Sequence, residues 1–284
     1  MSALQEFHYR LPHRVGGQRP GTHPGASLGA GQEFVSHANL FDRPDPRRLD
    51  LRASVRNVGG DWLVRVHRQR AGVPVHVIAD VSASMAFGAR KTKLQVVADF
   101  VEALGQSAFR VGDPLGMRAF DAVERDDLFM PALLGKGTGS VMAAMLRTCE
   151  TRSGGIAGLE DVAMHFSGRR GLIFLLSDFH WPIGSLVTVL DFFAHAYLVP
   201  MIVWDPAEIE PPRSNAIAAL RDAESGVRRT LWLRAELRGQ WRAAVAQRRA
   251  ELDRAFIARG IRPFHVSGAF DGEALSQYFF EAAA

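Results

Sequence analysis

Two nearly uninterrupted apolar runs, Gly171 to Leu176 and Tyr197 to Trp204, constrain the fold of this chain more than any other feature. Each has the length of a strand, far below the roughly 20 residues of a membrane-spanning helix. An apolar strand that does not alternate with polar residues must be covered on both faces, as a central strand of a parallel sheet is when helices flank it. The flanking sequence agrees. From Val73 onward strand-like and helix-like segments alternate, beginning with a strand at Val73 to Asp80. A helix follows from about Lys93 to Phe109, with Leu94, Val97, Val101, Leu104 and Ala108 on one face, and then a strand at Leu115 to Phe120. Asp126 to Leu133 reads as a short extended piece, and Ser140 to Arg152, Gly158 to Phe166 and Ser185 to Ala196 read as helices. Ala216 to Ser225 and Val227 to Leu233, turning at Ser225-Gly226, read as a hairpin. A long helix covers Glu236 to Arg259, and Arg262 to Ser267 gives the last strand before a C-terminal helix. The pattern predicts a doubly wound, Rossmann-like α/β domain with a mostly parallel sheet over residues 73–284, carrying a β-hairpin insertion at about 214–234.

Residues 1–72 read differently. Gly, Pro, His and Arg are dense between Pro12 and Arg48, so a loop-rich N-terminal arm is expected, with residues 1 to about 40 held by few contacts. Within it, Asp61 to His67 alternates apolar and polar residues. This predicts an accessory strand able to pair with the main sheet, with Trp62, Leu63 and Val64 buried.

Composition excludes several classes. No apolar segment is long enough for a membrane span, and the N-terminus lacks the apolar core of about 7 to 15 residues of a secretory signal, so the cytoplasm is the expected location. Cys149, the one cysteine, closes no internal disulfide and reads as a small core residue. The net charge is +4, but arginines are scattered among acids instead of standing in blocks, which argues against a nucleic-acid partner.

In doubly wound sheets ligands bind beyond the carboxyl ends of the strands, where strand order reverses. The polar residues expected there are Asp80, Ser82 and Ser84 after the first strand and Ser177-Asp178 after the central one. Between them runs the loop Gly135-Lys136-Gly137-Thr138-Gly139-Ser140, whose glycines let the backbone approach the rim. These are hard oxygen donors, suited to Mg²⁺, Mn²⁺ or Ca²⁺ and not to zinc or copper. An ion held mainly by short side chains keeps a position for an outside ligand, most naturally a carboxylate. An Asp-Ser string is also an ordinary helix cap. No phosphate-binding G-x-G-x-x-G or G-x-x-x-x-G-K-[ST] follows a strand, and no H-E-x-x-H pair is present.

The segment Asp80 to Met85 resembles the DxSxSM element of the metal-ion-dependent adhesion site of von Willebrand factor A domains. That resemblance implies that Asp80, Ser82, Ser84, Thr138 and Asp178 hold a divalent cation, with Ser140 competing for the place of Thr138. Pro46 to Asp50, Arg52 to Arg56, Trp204 to Glu208 and Asp222 to Gly226 are similar to the bacterial branch of this fold known as domain of unknown function 58. Its members are usually encoded beside a MoxR-type AAA+ ATPase. Many members carry membrane-spanning helices, so a member without them is implied. In length and style the chain is similar to MxaS-like members found in methanol-dehydrogenase gene clusters.

The resemblance implies a non-enzymatic adaptor, coupling a MoxR-type ATPase to a client protein for maturation or remodelling, such as metal or cofactor insertion into methanol dehydrogenase. The rival is a hydrolase using the same metal, with His180 as the local general base. His180 and Trp181 overhang the expected site and either contact the partner or pack beneath the loop. Arg234, Arg238 and Arg242 form a helical stripe that faces either solvent or an acidic partner.

Overall fold

The fold was examined in a computed structural model, which describes residues 6–12, 20–29, 31, 33–153, 155–212, 217–221 and 226–283. The chain divides into two units, Arg10–Val73 and a larger one of Pro74–Ala284 with the residues up to Tyr9.

In the smaller unit, β1 (Pro20–Gly29) and β2 (Glu33–Asn39) pair antiparallel with either side of β3 (Leu63–Ala71). The expected accessory strand is therefore the centre of a sheet of its own, not an addition to the main one. Val64 and Val66 are buried, whereas Leu63 is half-buried and Trp62 remains exposed, because the chain is only entering the sheet at these positions. Asp50 caps the helix α1 (Leu51–Arg56) by accepting from the Ala53 amide at 3.0 Å. It also accepts from Arg65 Nε at 2.7 Å and pairs with His37 Nε2 at 3.1 Å. Hydrogen bonding to Arg65, the Ala53 amide and His37 holds its carboxyl well below the usual carboxylate range. The Pro46 to Asp50 segment thus ends in a residue that ties α1 to β2 and β3.

The larger unit is built on β4 (Val75–Asp80), β5 (Leu115–Phe120), β6 (Met130–Leu133), β7 (Leu172–Ser177), β8 (Tyr197–Trp204) and, after the β9 (Ile217–Arg221) and β10 (Arg228–Trp232) hairpin, β11 (Phe264–Ser267). Their spatial order is β11-β8-β7-β4-β5-β6, parallel throughout except for β6, which pairs antiparallel with β5. From β4 the chain proceeds to one side through β5 and β6 and to the other through β7, β8 and β11. The reversal point lies at β4. Among the described residues β9 and β10 pair with each other alone, with Arg221 opposite Arg228; Ala216 and Asp222 to Ser225 of the expected hairpin lie outside the described residues.

Strands β4, β7 and β8 are buried along nearly their whole length, as their unbroken apolar sequence requires. One face packs on α2 (Lys93–Val111), α3 (Thr138–Thr148) and α8 (Gly272–Ala283), where Phe174 of β7 meets Phe100 at 5.0 Å and Phe279 at 6.1 Å. On the other, Ile78, Ile173, Leu175 and Ile202 join a cluster with Leu159 and Val162 of α4 (Gly158–Met164), Leu186 and Val189 of α5 (Ile183–Leu190), and Leu252 and Phe256 of α7 (Ala235–Ile257). A four-residue helix, α6 (Pro206–Ile209), follows β8. Among the described residues no helix is long and apolar enough to cross a membrane.

Residues 6–12, like the paired strands β1 and β2, depart from the expectation of few contacts over residues 1 to about 40. Phe7 is fully buried, stacked at 5.9 Å on Phe100 and edge-on at 5.8 Å to Phe270. The Tyr9 hydroxyl donates to Asp113 at 2.6 Å. Phe7, Tyr9 and Leu11 alternate with polar residues, a short period-two pattern masked by the Gly- and Pro-rich stretch after it. Phe7→Ala is expected to destabilise the larger unit by about 3 to 5 kcal/mol, read as a lower denaturation midpoint.

His76 on β4 packs edge-on against Phe166 at 5.0 Å. Burial, and then the Arg169 and Arg118 guanidinium groups, push its imidazole down from 6.5 to about 4. The unfolded chain therefore takes up this proton first as pH falls. Stability from the neutral ring is complete above about 6.5 and is lost as pH falls through about 4, with a slope of up to about 1.4 kcal/mol per pH unit. Urea denaturation from pH 7 to pH 4.5 should show a steeper fall for the wild type than for His76→Leu.

Candidate metal site at the sheet reversal

The loop after β4 is held by its own side chains. Asp80, fully buried at the strand's last position, accepts from the Ser82 amide through Oδ1 at 2.9 Å and from the Ser177 hydroxyl, at the end of β7, through Oδ2 at 2.6 Å. The Ser82 and Ser84 hydroxyls lie 3.3 Å apart, and Ser84 hydrogen-bonds Asp178. Met85 is buried beneath the turn. Asp80, Ser82, Ser84 and Asp178 are thereby linked into one chain of polar groups spanning the ends of β4 and β7. Thr138 opens α3, half-buried, and none of these hydrogen bonds reaches it or the exposed Ser140. Gly139 in that loop serves helix packing, since a Cβ on Gly105 of α2 would stand 2.4 Å from its Cα.

Asp178 has a second partner that sequence reasoning did not supply. Its Oδ2 accepts from the Lys93 ammonium at 2.6 Å, and the same ammonium donates to Glu208 Oε1 at 2.8 Å. Lys93, in the first turn of α2, is 2% exposed. Glu208 belongs to the Trp204 to Glu208 segment: Asp205 caps α6 and accepts from the Ala89 amide at 3.1 Å, and the Glu208 carboxylate accepts from the Asp205 amide at 2.9 Å. The available signal was that Lys93 is one of three lysines in a chain of many arginines, placed between an Asp-Ser loop and a helix. The companion Asp222 to Ser225 segment lies outside the described residues.

The electrostatics of the two aspartates differ. Burial, then the neighbouring Asp178 carboxylate, push Asp80 up to about 6, only partly offset by its hydroxyl and amide donors. Burial also acts to raise Asp178, but the Lys93 ammonium, the His180 ring and the Ser84 hydroxyl together outweigh it and hold that carboxyl below its usual value. Asp178 and Glu208 thus share the Lys93 ammonium, whereas Asp80 is held by hydroxyl and amide donors alone and is the carboxylate left short of positive charge. The oxygen-only donors of Asp80, Ser82, Ser84 and Asp178 fit a hard cation.

His180 and Trp181, expected over the site, are placed differently from each other. The His180 ring is 42% exposed, stacked on Trp204 at 5.6 Å, with Nε2 3.6 Å from Glu208 Oε1. Trp181 turns inward, donating from Nε1 to the Ser177 hydroxyl at 3.2 Å and packing on Phe179 at 5.3 Å. Phe179, fully buried, adopts a left-handed backbone (φ 52°) that costs a non-glycine residue of order 1 kcal/mol or more. Arg248 of α7 fixes this turn by donating to the Phe179 carbonyl at 2.6 Å and to the Trp181 carbonyl. Beside it a cleft of about 470 Å³ is lined by His180, Trp204, Glu208, Trp241, Val245 and Arg248 among others. The arginine stripe is engaged within the chain: Arg234 stacks over Trp232, Arg238 donates to the Leu233 carbonyl, and Arg242 pairs with Glu210.

Residues 44–251, more than two thirds of the chain, match the family described as Protein of unknown function DUF58. The chain belongs to this family. An uncharacterized protein of Mycobacterium tuberculosis is 27% identical over 274 residues, covering 92% of this chain and 81% of its own length, and one of Mycobacterium bovis matches to the same extent. Among solved structures, an aerotolerance-related membrane protein from Bacteroides fragilis matches 75% of this chain and 98% of its own at 13% identity and a TM-score of 0.46. The VWA domain of SpRpn10 matches 72% and 95% at 10% identity and a TM-score of 0.36. The family assigns no reaction. Its motif segment Trp204 to Glu208 forms the far wall of the aspartate site, which gives that resemblance a physical role.

The Arg248 contacts generate a test. Arg248→Ala removes the charged donor to two carbonyls of a strained turn and is expected to cost about 1.5 to 3 kcal/mol. Amide hydrogen exchange at residues 178–182 should speed up while that of β5 stays unchanged.

Proposed function

We propose that this DUF58 member is a protein-binding module in which Asp80, Ser82, Ser84 and Asp178 hold a divalent cation of the Mg²⁺ or Mn²⁺ type. Thr138 is the further ligand that the resemblance to von Willebrand factor A domains implies. The observation that carries the reading is the buried pair of aspartates joined by two serine hydroxyls at the sheet reversal, with Asp80 short of positive charge. When bound, the cation supplies a Lewis-acidic position that accepts an outside carboxylate. Asp80 and Asp178 balance its charge, while Ser82 and Ser84 orient it without adding charge, leaving a coordination position for an acidic side chain. His180, exposed at the rim, is the side chain set to meet whatever docks there.

The partner of this module is a MoxR-type AAA+ ATPase together with a client whose maturation it assists, a role that extends in MxaS-like members to methanol dehydrogenase. That assignment follows the family resemblance. A hydrolytic role is the weaker reading, since the His180 ring engages Trp204 and Glu208 and not the Ser82 and Ser84 hydroxyls of the site. A panel of phosphoester and peptide substrates is expected to show no turnover dependent on Asp80.

Losing one member of a desolvated charge pair costs roughly 2 to 5 kcal/mol, and 1.4 kcal/mol is about tenfold in affinity. Capture of the cognate ATPase or client by the tagged protein should therefore weaken by about thirtyfold or more in chelator. Ser82→Ala with Ser84→Ala should reproduce most of that loss, while Arg238→Glu should act mainly at low salt. Equal capture in chelator and in Mg²⁺, with normal binding by the double variant, would place recognition elsewhere.

A further inference from the structure

The cation already present in the aspartate site is a side chain. Lys93 Nζ lies 2.6 Å from Asp178 Oδ2 and 2.8 Å from Glu208 Oε1, and its side chain is 2% exposed. A lysine stem is buried to this degree only where its ammonium is fully paired. Its partners are not incidental: Asp178, His180 and Glu208 each offer a ligand atom within 4.8 Å of the others, an oxygen-oxygen-nitrogen set able to hold a metal on its own. The ammonium is bonded to two of the three. The position has the donors of a metal site and the occupant of an ion pair.

We infer that Lys93 is a tethered competitor of the metal, a monocation that neutralises Asp178 and Glu208 when no divalent ion is bound and opposes one that binds. Like charges a few ångströms apart in a partly buried site repel more strongly than in water, so the ammonium lowers the affinity of Asp178 for a second cation. In return, the metal-free site keeps its buried carboxylates paired. The lysine thereby sets the metal site to weak, exchangeable binding. This rests on the metal-binding reading above and extends it to how the site is tuned. His180, bonded to neither Lys93 nor the serine pair, would join Asp178 and Glu208 as a ligand once the ammonium is gone.

Titration calorimetry with Mn²⁺ on the metal-free full chain tests it, alongside thermal unfolding with and without Mn²⁺. Lys93→Met is expected to bind Mn²⁺ at least about tenfold more tightly than the wild type. Its melting temperature should fall in chelator and recover in Mn²⁺ by more than the wild type gains. Adding Glu208→Gln to Lys93→Met should return much of the gained affinity, since it removes the charge that the metal inherits. Equal affinity in the wild type and Lys93→Met overturns the inference and leaves the metal-binding reading standing. Binding by Lys93→Met alone supports the inference, with the lysine as the site's permanent cation, and overturns metal dependence of the wild type. Absence of binding in both overturns the two together. Should Lys93→Met fail to fold in chelator but fold in Mn²⁺, the exchange of cations is shown directly; failure of both Lys93→Met and Lys93→Gln to fold in saturating Mn²⁺ overturns it.

Discussion

Placing a carboxylate out of water costs several kcal/mol unless hydrogen bonds and opposite charge replace the lost solvation, and this fold buries two of them at one point. The parallel sheet makes that unavoidable. β4 and β7 are neighbours, both end at the reversal of strand order, and Asp80 is the residue at which the apolar run of β4 stops while Asp178 directly follows Ser177 at the end of β7. Much of the surrounding structure can be read as the answer to that charge. Ser177 donates to Asp80, the first turn of α2 delivers an ammonium to Asp178, and α6 supplies Glu208 to hold the other side of the ammonium. Asp178 is well compensated and Asp80 is not, so the two carboxyls titrate in opposite directions from their ordinary values.

The parts of this arrangement legible in the sequence are those carried by local pattern. An apolar run with no alternation specifies a doubly covered strand, and the residue that breaks it falls at the strand's end, so Asp80, Ser177 and Asp178 could be assigned to one rim from composition alone. The long-range partners were not legible. Lys93 is 85 positions from Asp178 and 115 from Glu208, and no periodicity connects them. For the same reason Trp181 gave no sign that its indole would turn toward Ser177, four residues back, instead of toward solvent. Phe7 shows a third limit. Its pattern is three alternating residues long, too short to outweigh the Gly- and Pro-rich stretch that follows, yet its ring ends between Phe100 and Phe270.

The segment after Asp178 joins the site to the rest of the domain. Phe179 takes a left-handed backbone and still buries its ring against Phe256, so the turn is held by packing and by Arg248 against its own conformational preference. A strained turn immediately after a site residue keeps that residue's carboxyl direction fixed, because relaxing the strain would require withdrawing an aromatic ring from the core. α7 supplies both restraints: Phe256 from its buried end and Arg248 two turns earlier.

Glu208 is where these elements meet. One carboxylate oxygen accepts from Lys93, the other accepts from the Asp205 amide, and its backbone carbonyl accepts from the Trp241 indole of α7 at 2.7 Å. The His180 imidazole, at the exposed rim, stands 3.6 Å from the same carboxylate and against the Trp204 ring. A group docking at the rim therefore touches residues bonded both to the buried charge cluster and to α7, without crossing the apolar core. The cleft of about 470 Å³ between His180, Glu208 and α7 opens at that junction. The same few residues that make buried carboxylates tolerable also form the wall of this cleft, so the stability of the charge cluster and the shape of the cleft are not separable at this end of the sheet. Substitutions there must be judged by both.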